Sequence, residues 1–114
     1  MTKVGEIVHA IKDITDRYSL KLLELDLTDV TLIARIGFSR EIFVQIPIYA
    51  NEKKEKLNMA LVVAGERVYG IDKEGGFYHE HPFENPLLHI EAEPIEIESF
   101  IIKSLEMLKK LKLF

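Results

Sequence analysis

Residues 30–48 read VTLIARIGFSREIFVQIPI, with an apolar side chain at every second position on both sides of a break at Ser39-Arg40. This alternation puts the apolar side chains on one face of an extended chain, which is typical of a strand with one buried face. Two strands joined by so short a break pair antiparallel. The segment therefore predicts a β-hairpin.

Similar strand patterns extend from this hairpin in both directions. Gly65-Glu66 suits a two-residue hairpin turn, and residues 72–76 suit another turn before a short strand. Pro47 cannot donate to a ladder, so its strand is expected to lie at a sheet edge or to end near this residue. No helical pattern interrupts the series, which favours an antiparallel meander of five to six strands. The further predicted strands are 23–27, 57–64, 67–71 and 77–81.

Two segments with helical periodicity flank the strands. Apolar residues recur every three or four positions from Val4 to Tyr18, and again from Ile97 to Leu111. Each makes one apolar stripe that can pack on a sheet. We therefore expect one α+β domain over residues 1–114, with an N-terminal and a C-terminal helix flanking the antiparallel meander sheet on one face.

The composition is that of an ordinary globular protein. The 114 residues are 47% hydrophobic and 30% charged, and the absence of cysteine excludes disulfides, thiolate metal sites and a thiol nucleophile. A net charge of −4 is unlike a protein that grips nucleic acid with its whole surface. The chain has no signal-peptide pattern at its start, so a cytoplasmic location is expected. A single glutamine and many Ile, Glu and Lys resemble thermophile proteins.

Three of the four histidines fall within residues 72–89, where the candidate site residues crowd together. His79 and His81 are two apart in an extended segment, so their side chains share a face while Glu80 faces away. The pair can serve as general acid and base near neutral pH, or it can supply two nitrogen ligands to zinc. An inert, solvated surface pair is the third interpretation.

Other residues could complete such a site. Asp72 could orient a catalytic imidazole, and either Asp72 or His89 could be a third metal ligand. Arg67 could bind a phosphate with two hydrogen bonds, although most strand arginines line the solvent side of a sheet. Tyr78 and His89 are candidate substrate contacts. His9 lies off the apolar stripe of the first helix and is expected to be exposed.

The stretch from Arg67 to His89 resembles the TumE family, whose members are toxins of toxin–antitoxin pairs. The resemblance rests on Asp72 after an aromatic strand and on the cluster His79-Glu-His81-Pro82, with Lys73 standing where the family has asparagine. It implies a small toxin that attacks RNA and is expressed with a DNA-binding antitoxin.

Three functional hypotheses follow. The first is a metal-independent endoribonuclease with His79 and His81 as the acid–base pair, Asp72 as the orienting residue and Arg67 on the phosphate, without a cofactor. The second is a module that binds zinc through the two histidines. The third is an interaction subunit without chemistry, which uses its apolar C-terminus and a sheet edge to contact a partner.

The second face of the predicted sheet is too apolar for open water. Either the sheet curls to bury both faces, or a second copy covers the exposed one. We expect a homodimer with two-fold symmetry. The apolar residues on this face are Ile33, Phe43, Tyr49, Ala60, Val62 and Ala64.

Overall fold

In the computed structural model, the chain forms a helix, then the strands of one antiparallel sheet, and then a second helix. The described residues are 3–51, 53–74, 77–82, 90–92 and 95–113. Within these ranges the elements are α1 (Lys3–Arg17), β1 (Lys21–Leu27), β2 (Thr31–Ser39), β3 (Ile42–Ala50), β4 (Glu55–Val63), β5 (Glu66–Glu74), β6 (Phe77–His81), β7 (Ile90–Ala92) and α2 (Ile97–Lys110).

The predicted α+β class is confirmed, and both helices begin at or within one residue of the predicted position. The sheet has seven strands in the order β1 to β7 within the described residues, one or two more than expected. The additional strand β7 is only three residues long and pairs with β6. Three residues are too few for alternation to distinguish a strand from a loop.

Alternation fixes which side chains enter the core, because successive residues of a strand point to opposite faces. One face of the sheet packs against Ile11 of α1 and Phe100 of α2, and the Phe100 ring stacks on Tyr69 with the ring centroids 5.5 Å apart. The other face is not covered by either helix, and we call it the open face. The fully buried residues on the helix-covered face include Leu32, Ala34, Ile36, Val44, Ile46, Met59, Leu61 and Tyr69.

Of the two alternatives predicted for Pro47, the edge strand is wrong, whereas the strand does end near the proline, three residues beyond it. Strand β3 continues to Ala50 and lies between β2 and β4 in the sheet. Pro47 is opposite Ile33 of β2, but the pairing of β3 with β4 is interrupted at Ile46 and Pro47. An interior strand thus accommodates the proline at the cost of a local gap in one ladder.

The second hairpin also differs from its prediction. Ala64 and Gly65 form the turn, both with positive φ, so the turn lies one residue earlier than expected. Strand β5 then runs on to Glu74, and residues 72–74, predicted as a turn, pair with β6. This extension brings Asp72 directly opposite His79.

A polar cluster joins the end of α1 to the start of α2. The Tyr18 hydroxyl donates to Glu98 Oε2 at 2.7 Å, and the Arg17 guanidinium contacts both Glu98 and Asp13. The hydrogen bond from Tyr18, followed by that from Arg17, lowers the pKa of Glu98. The carboxylate form of Glu98 therefore stabilises the helix junction.

Candidate functional site

A groove of about 400 Å³ lies on the open face, across β2 to β5. Its walls are polar at Arg35, Gln45, Asn58 and Arg67. The remaining lining is short or apolar, and it is contributed by Phe43, Pro47, Ala60, Val62 and Gly65.

A histidine–aspartate pair lies on the same face, where β6 pairs with β5. His81 Nε2 is 3.0 Å and 3.1 Å from the two carboxylate oxygens of Asp72. The His81 side chain is buried, with 5% of its residue surface exposed. Because an ionised carboxylate only accepts hydrogen bonds, Nε2 is the nitrogen that donates in this contact.

Arg67 reaches the same carboxylate from the other side. Its Nη2 lies 3.9 Å from Asp72 Oδ1, an ion pair without a direct hydrogen bond. Its Nε and Nη2 are buried, and no described residue accepts a hydrogen bond from either. These two N–H groups form the side-on pair with which arginine binds a carboxylate or phosphate bidentately.

The bare Cα of Gly70 makes room for this arginine. A Cβ at Gly70 would stand 2.4 Å from Arg67 Nη2 and 2.8 Å from Nε, closer than any real Cβ contact. The guanidinium therefore lies over Gly70, beside Asp72, and only glycine at position 70 permits this placement.

A second cation stands at the opposite side of the groove. Arg35 Nε is 3.2 Å from Glu24 Oε2, and the guanidinium carbon is 5.3 Å from the centroid of the Phe43 ring. The carboxylate and the ring hold this guanidinium at the groove wall.

The structure brings together three of the predicted site residues, Arg67, Asp72 and His81. His79 shares the open face with His81, as the alternation predicted, and the β5–β6 register also puts it directly opposite Asp72. Tyr78, one position away, points to the helix-covered face, packs against the core and has Lys73 Nζ 5.6 Å from its ring centroid.

The other two histidines are not part of this arrangement. His89 lies outside the described residues, as does the predicted loop from residue 83 onward. His9 is exposed on α1, as expected.

Sequence reasoning missed Asn58, Gln45 and Gly70. Asparagine and glycine are both disfavoured inside a strand, so their presence there could have marked positions 58 and 70 as having a special role. Their meaning depends on the register, because Asn58 is directly opposite Asp72 and Gly70 is opposite His81.

Among the described residues, no group of three or more His, Asp or Glu side chains is arranged to hold a metal ion. No described helix combines the length and apolar character needed to cross a bilayer. Comparison with protein-family models, curated proteins and solved structures gave no match.

Proposed function

We propose that the open face is the active site of a small endoribonuclease that works without a metal ion. The observation that supports this most is the position of Asp72, whose carboxylate contacts both the buried imidazole of His81 and the guanidinium of Arg67. Cleavage of RNA needs a base, an acid and a cation on the phosphate, while the nucleophile comes from the substrate itself.

In this proposal His81 takes the proton from a 2′-hydroxyl, and Asp72 stabilises the imidazolium that results. The 2′-oxygen attacks the adjacent phosphorus, and the bond from phosphorus to the 5′-oxygen breaks. His79 donates a proton to the departing 5′-oxygen, so the products are a 2′,3′-cyclic phosphate and a 5′-hydroxyl. Arg67 offsets the negative charge that builds up on the phosphoryl oxygens.

The experiment is incubation of purified protein with total RNA in the presence of EDTA. We expect cleavage by the wild type and its loss in the double variant His79→Ala/His81→Ala. The matched control is His9→Ala, which removes an exposed imidazole on α1 and should cleave as the wild type does. Equal cleavage by all three proteins, or none by any, would refute the proposal.

The zinc hypothesis is separated from this one by metal content. Under the proposal, protein purified without a histidine tag contains no stoichiometric zinc, and EDTA leaves cleavage unchanged. Stoichiometric zinc that is released near pH ~5, where imidazoles become protonated, would favour the metal-binding module instead.

The resemblance to TumE toxins supplies the proposed cellular setting. We propose that the protein is a cytoplasmic toxin of a thermophilic organism and that it pairs with a small DNA-binding antitoxin. A neighbouring gene that encodes a helix-turn-helix protein, and co-purification of the two products, would support this setting.

We also propose that the protein is a homodimer through one end of the open face. Ile33 and Tyr49 expose 41% and 38% of their surface there, whereas Phe43, Ala60 and Val62 are half-buried in the groove. An interface centred on Ile33 and Tyr49 would leave the Arg67 end of the groove accessible to RNA.

A further inference from the structure

Asn58 is a polar side chain that the proposed chemistry does not use. It lines the groove from the middle of β4, and its Oδ1 atom is buried without a hydrogen bond from any described residue. A buried acceptor without a donor is unfavourable, so a ligand that supplies the donor binds more tightly than one that does not.

The surroundings of Asn58 suit a flat ligand. Pro47 of β3 lines the groove together with Asn58, and the Phe43 ring lines the same groove with Arg35 against it. Apolar rings and a planar guanidinium provide surfaces on which an aromatic heterocycle can stack.

The charges near Asn58 are already balanced. Arg35 is paired with Glu24, and Arg67 lies beside Asp72. Nε and Nη2 of Arg67 nevertheless lack a hydrogen-bond acceptor among the described residues, so a ligand that fills the groove needs an acceptor group such as a phosphate at Arg67 and a neutral polar part at Asn58.

Asn58 lies directly opposite Asp72, the residue that Arg67 contacts. Side chains at directly opposed positions have Cβ atoms about 5 Å apart, which is within the length of one nucleotide. A phosphate at Arg67 and the base of the same nucleotide at Asn58 can thus be bound together.

We propose that the groove contains a base-binding subsite in which Asn58 recognises adenine, a proposal that rests on the proposed ribonuclease function for its biological meaning. A side-chain amide accepts a hydrogen bond from the N6 amino group of adenine and donates one to N7. Hypoxanthine has a carbonyl in place of that amino group, so Oδ1 would again face an acceptor.

Calorimetric titration with adenosine and inosine 5′-monophosphates tests the subsite, because the two ligands differ only at C6 and at the adjacent N1, and Asn58 is proposed to contact the group on C6. We expect the wild type to bind the adenosine nucleotide about tenfold more tightly, the effect of one bidentate contact to a base. Asn58→Leu should bind both nucleotides equally. Asn58→Asp keeps the size and the acceptor but cannot donate to N7, which both nucleotides carry, so it should bind both more weakly and keep the preference for the adenosine nucleotide.

Inorganic phosphate is the internal control for folding and for the anion site. We expect Asn58→Leu to bind phosphate as the wild type does, whereas Arg67→Ala should lose phosphate binding. Equal binding of the two nucleotides by the wild type, or a preference that survives in Asn58→Leu, would overturn the subsite.

Failure of the subsite and failure of the ribonuclease are distinguishable. If the protein cleaves RNA without preference for adenine beside the cut, the catalytic proposal stands and the subsite is wrong. If nucleotide discrimination depends on Asn58 but no RNA is cleaved, the subsite stands and the protein is a nucleotide-binding module.

Discussion

Arg67 lies across Gly70, with Nη2 only 2.4 Å from the place where a Cβ would stand. The two residues are on the same strand, and the missing side chain of one creates the space that the other fills. The same virtual Cβ would stand 2.9 Å from the carbonyl oxygen of Met59. Position 70 therefore constrains both the guanidinium and the backbone of β4.

Gly70→Ala is expected to displace Arg67 and to destabilise the protein by about 1–3 kcal/mol, the usual cost of overpacking. Urea unfolding of the wild type, Gly70→Ala, Arg67→Ala and the double variant measures how much of this loss comes from the arginine. We expect the double variant to recover only part of the lost stability. Removing the arginine relieves one clash, but the contact between the new Cβ and the carbonyl oxygen of Met59 remains. A Gly70→Ala protein as stable as the wild type would contradict the placement of Arg67.

Asp72→Asn tests the contact with His81. The variant replaces an acceptor-only carboxylate with an amide and weakens the hydrogen bond to an imidazole that is almost fully buried. We expect a loss of about 1–3 kcal/mol in the free energy of unfolding. Glu24→Gln, which weakens an exposed ion pair with Arg35, is the matched control and should cost less than about 1 kcal/mol. Equal losses of unfolding free energy in the two variants would show that the buried contact between Asp72 and His81 is no stronger than the exposed ion pair between Glu24 and Arg35.

The order of elements could be predicted because apolar alternation is long and regular in β2 and β3, where one face is buried throughout. The boundaries of β5 could not be predicted in the same way. Asp72, Lys73 and Glu74 have the composition of a turn, yet pairing with β6 holds them in a strand. Tertiary pairing here overrides local preference.

The same limit applies to the site. The shared face of His79 and His81 follows from the two-residue period, and the sequence also suggested Asp72 and Arg67 as partners. The role of Asn58 depends on its register with Asp72 across the β4–β5 pair. Register between strands depends on turn geometry and on bulges such as the one at Leu61 and Val62, which no local pattern specifies.

Acid stability should depend on Glu98. Hydrogen bonds from Tyr18 and Arg17 lower the pKa of Glu98 in the folded protein below its ordinary value of 4.5. The stabilising effect is therefore complete above the unfolded-state pKa and is lost as the pH falls through the lower, folded-state pKa. Unfolding measured from neutral to acidic pH should show a weaker acid dependence in Glu98→Gln than in the wild type. The same dependence in both proteins would show that Glu98 does not stabilise the helix junction.

Tyr69 should tolerate the loss of its hydroxyl. The Tyr69 hydroxyl is buried without a hydrogen-bond partner among the described residues, and burial, with the Glu80 carboxylate nearby, raises its pKa. Tyr69→Phe removes an unsatisfied polar group and keeps the ring stacked on Phe100, so its stability should be within about 1 kcal/mol of the wild type or higher. Phe100→Ala should instead lose about 3–5 kcal/mol by opening a cavity. A large loss in Tyr69→Phe would show that the hydroxyl donates to an acceptor, such as the nearby Glu80 carboxylate.

The proposed dimer predicts a dependence on Ile33. Ile33 is exposed at the apolar end of the open face and lines one surface cleft with Tyr49. Two copies related by a two-fold axis would bury these side chains against each other, and a charge at Ile33 would then face its own copy across the axis. Light scattering at micromolar concentration should give about 26 kDa for the wild type, twice the 13.2 kDa of one chain. It should give about 13 kDa for Ile33→Asp.

Val30→Asp changes an exposed residue in the turn before β2 and is the control that should remain dimeric. A wild-type mass near 13 kDa that holds on concentration would show that the open face stays uncovered in solution.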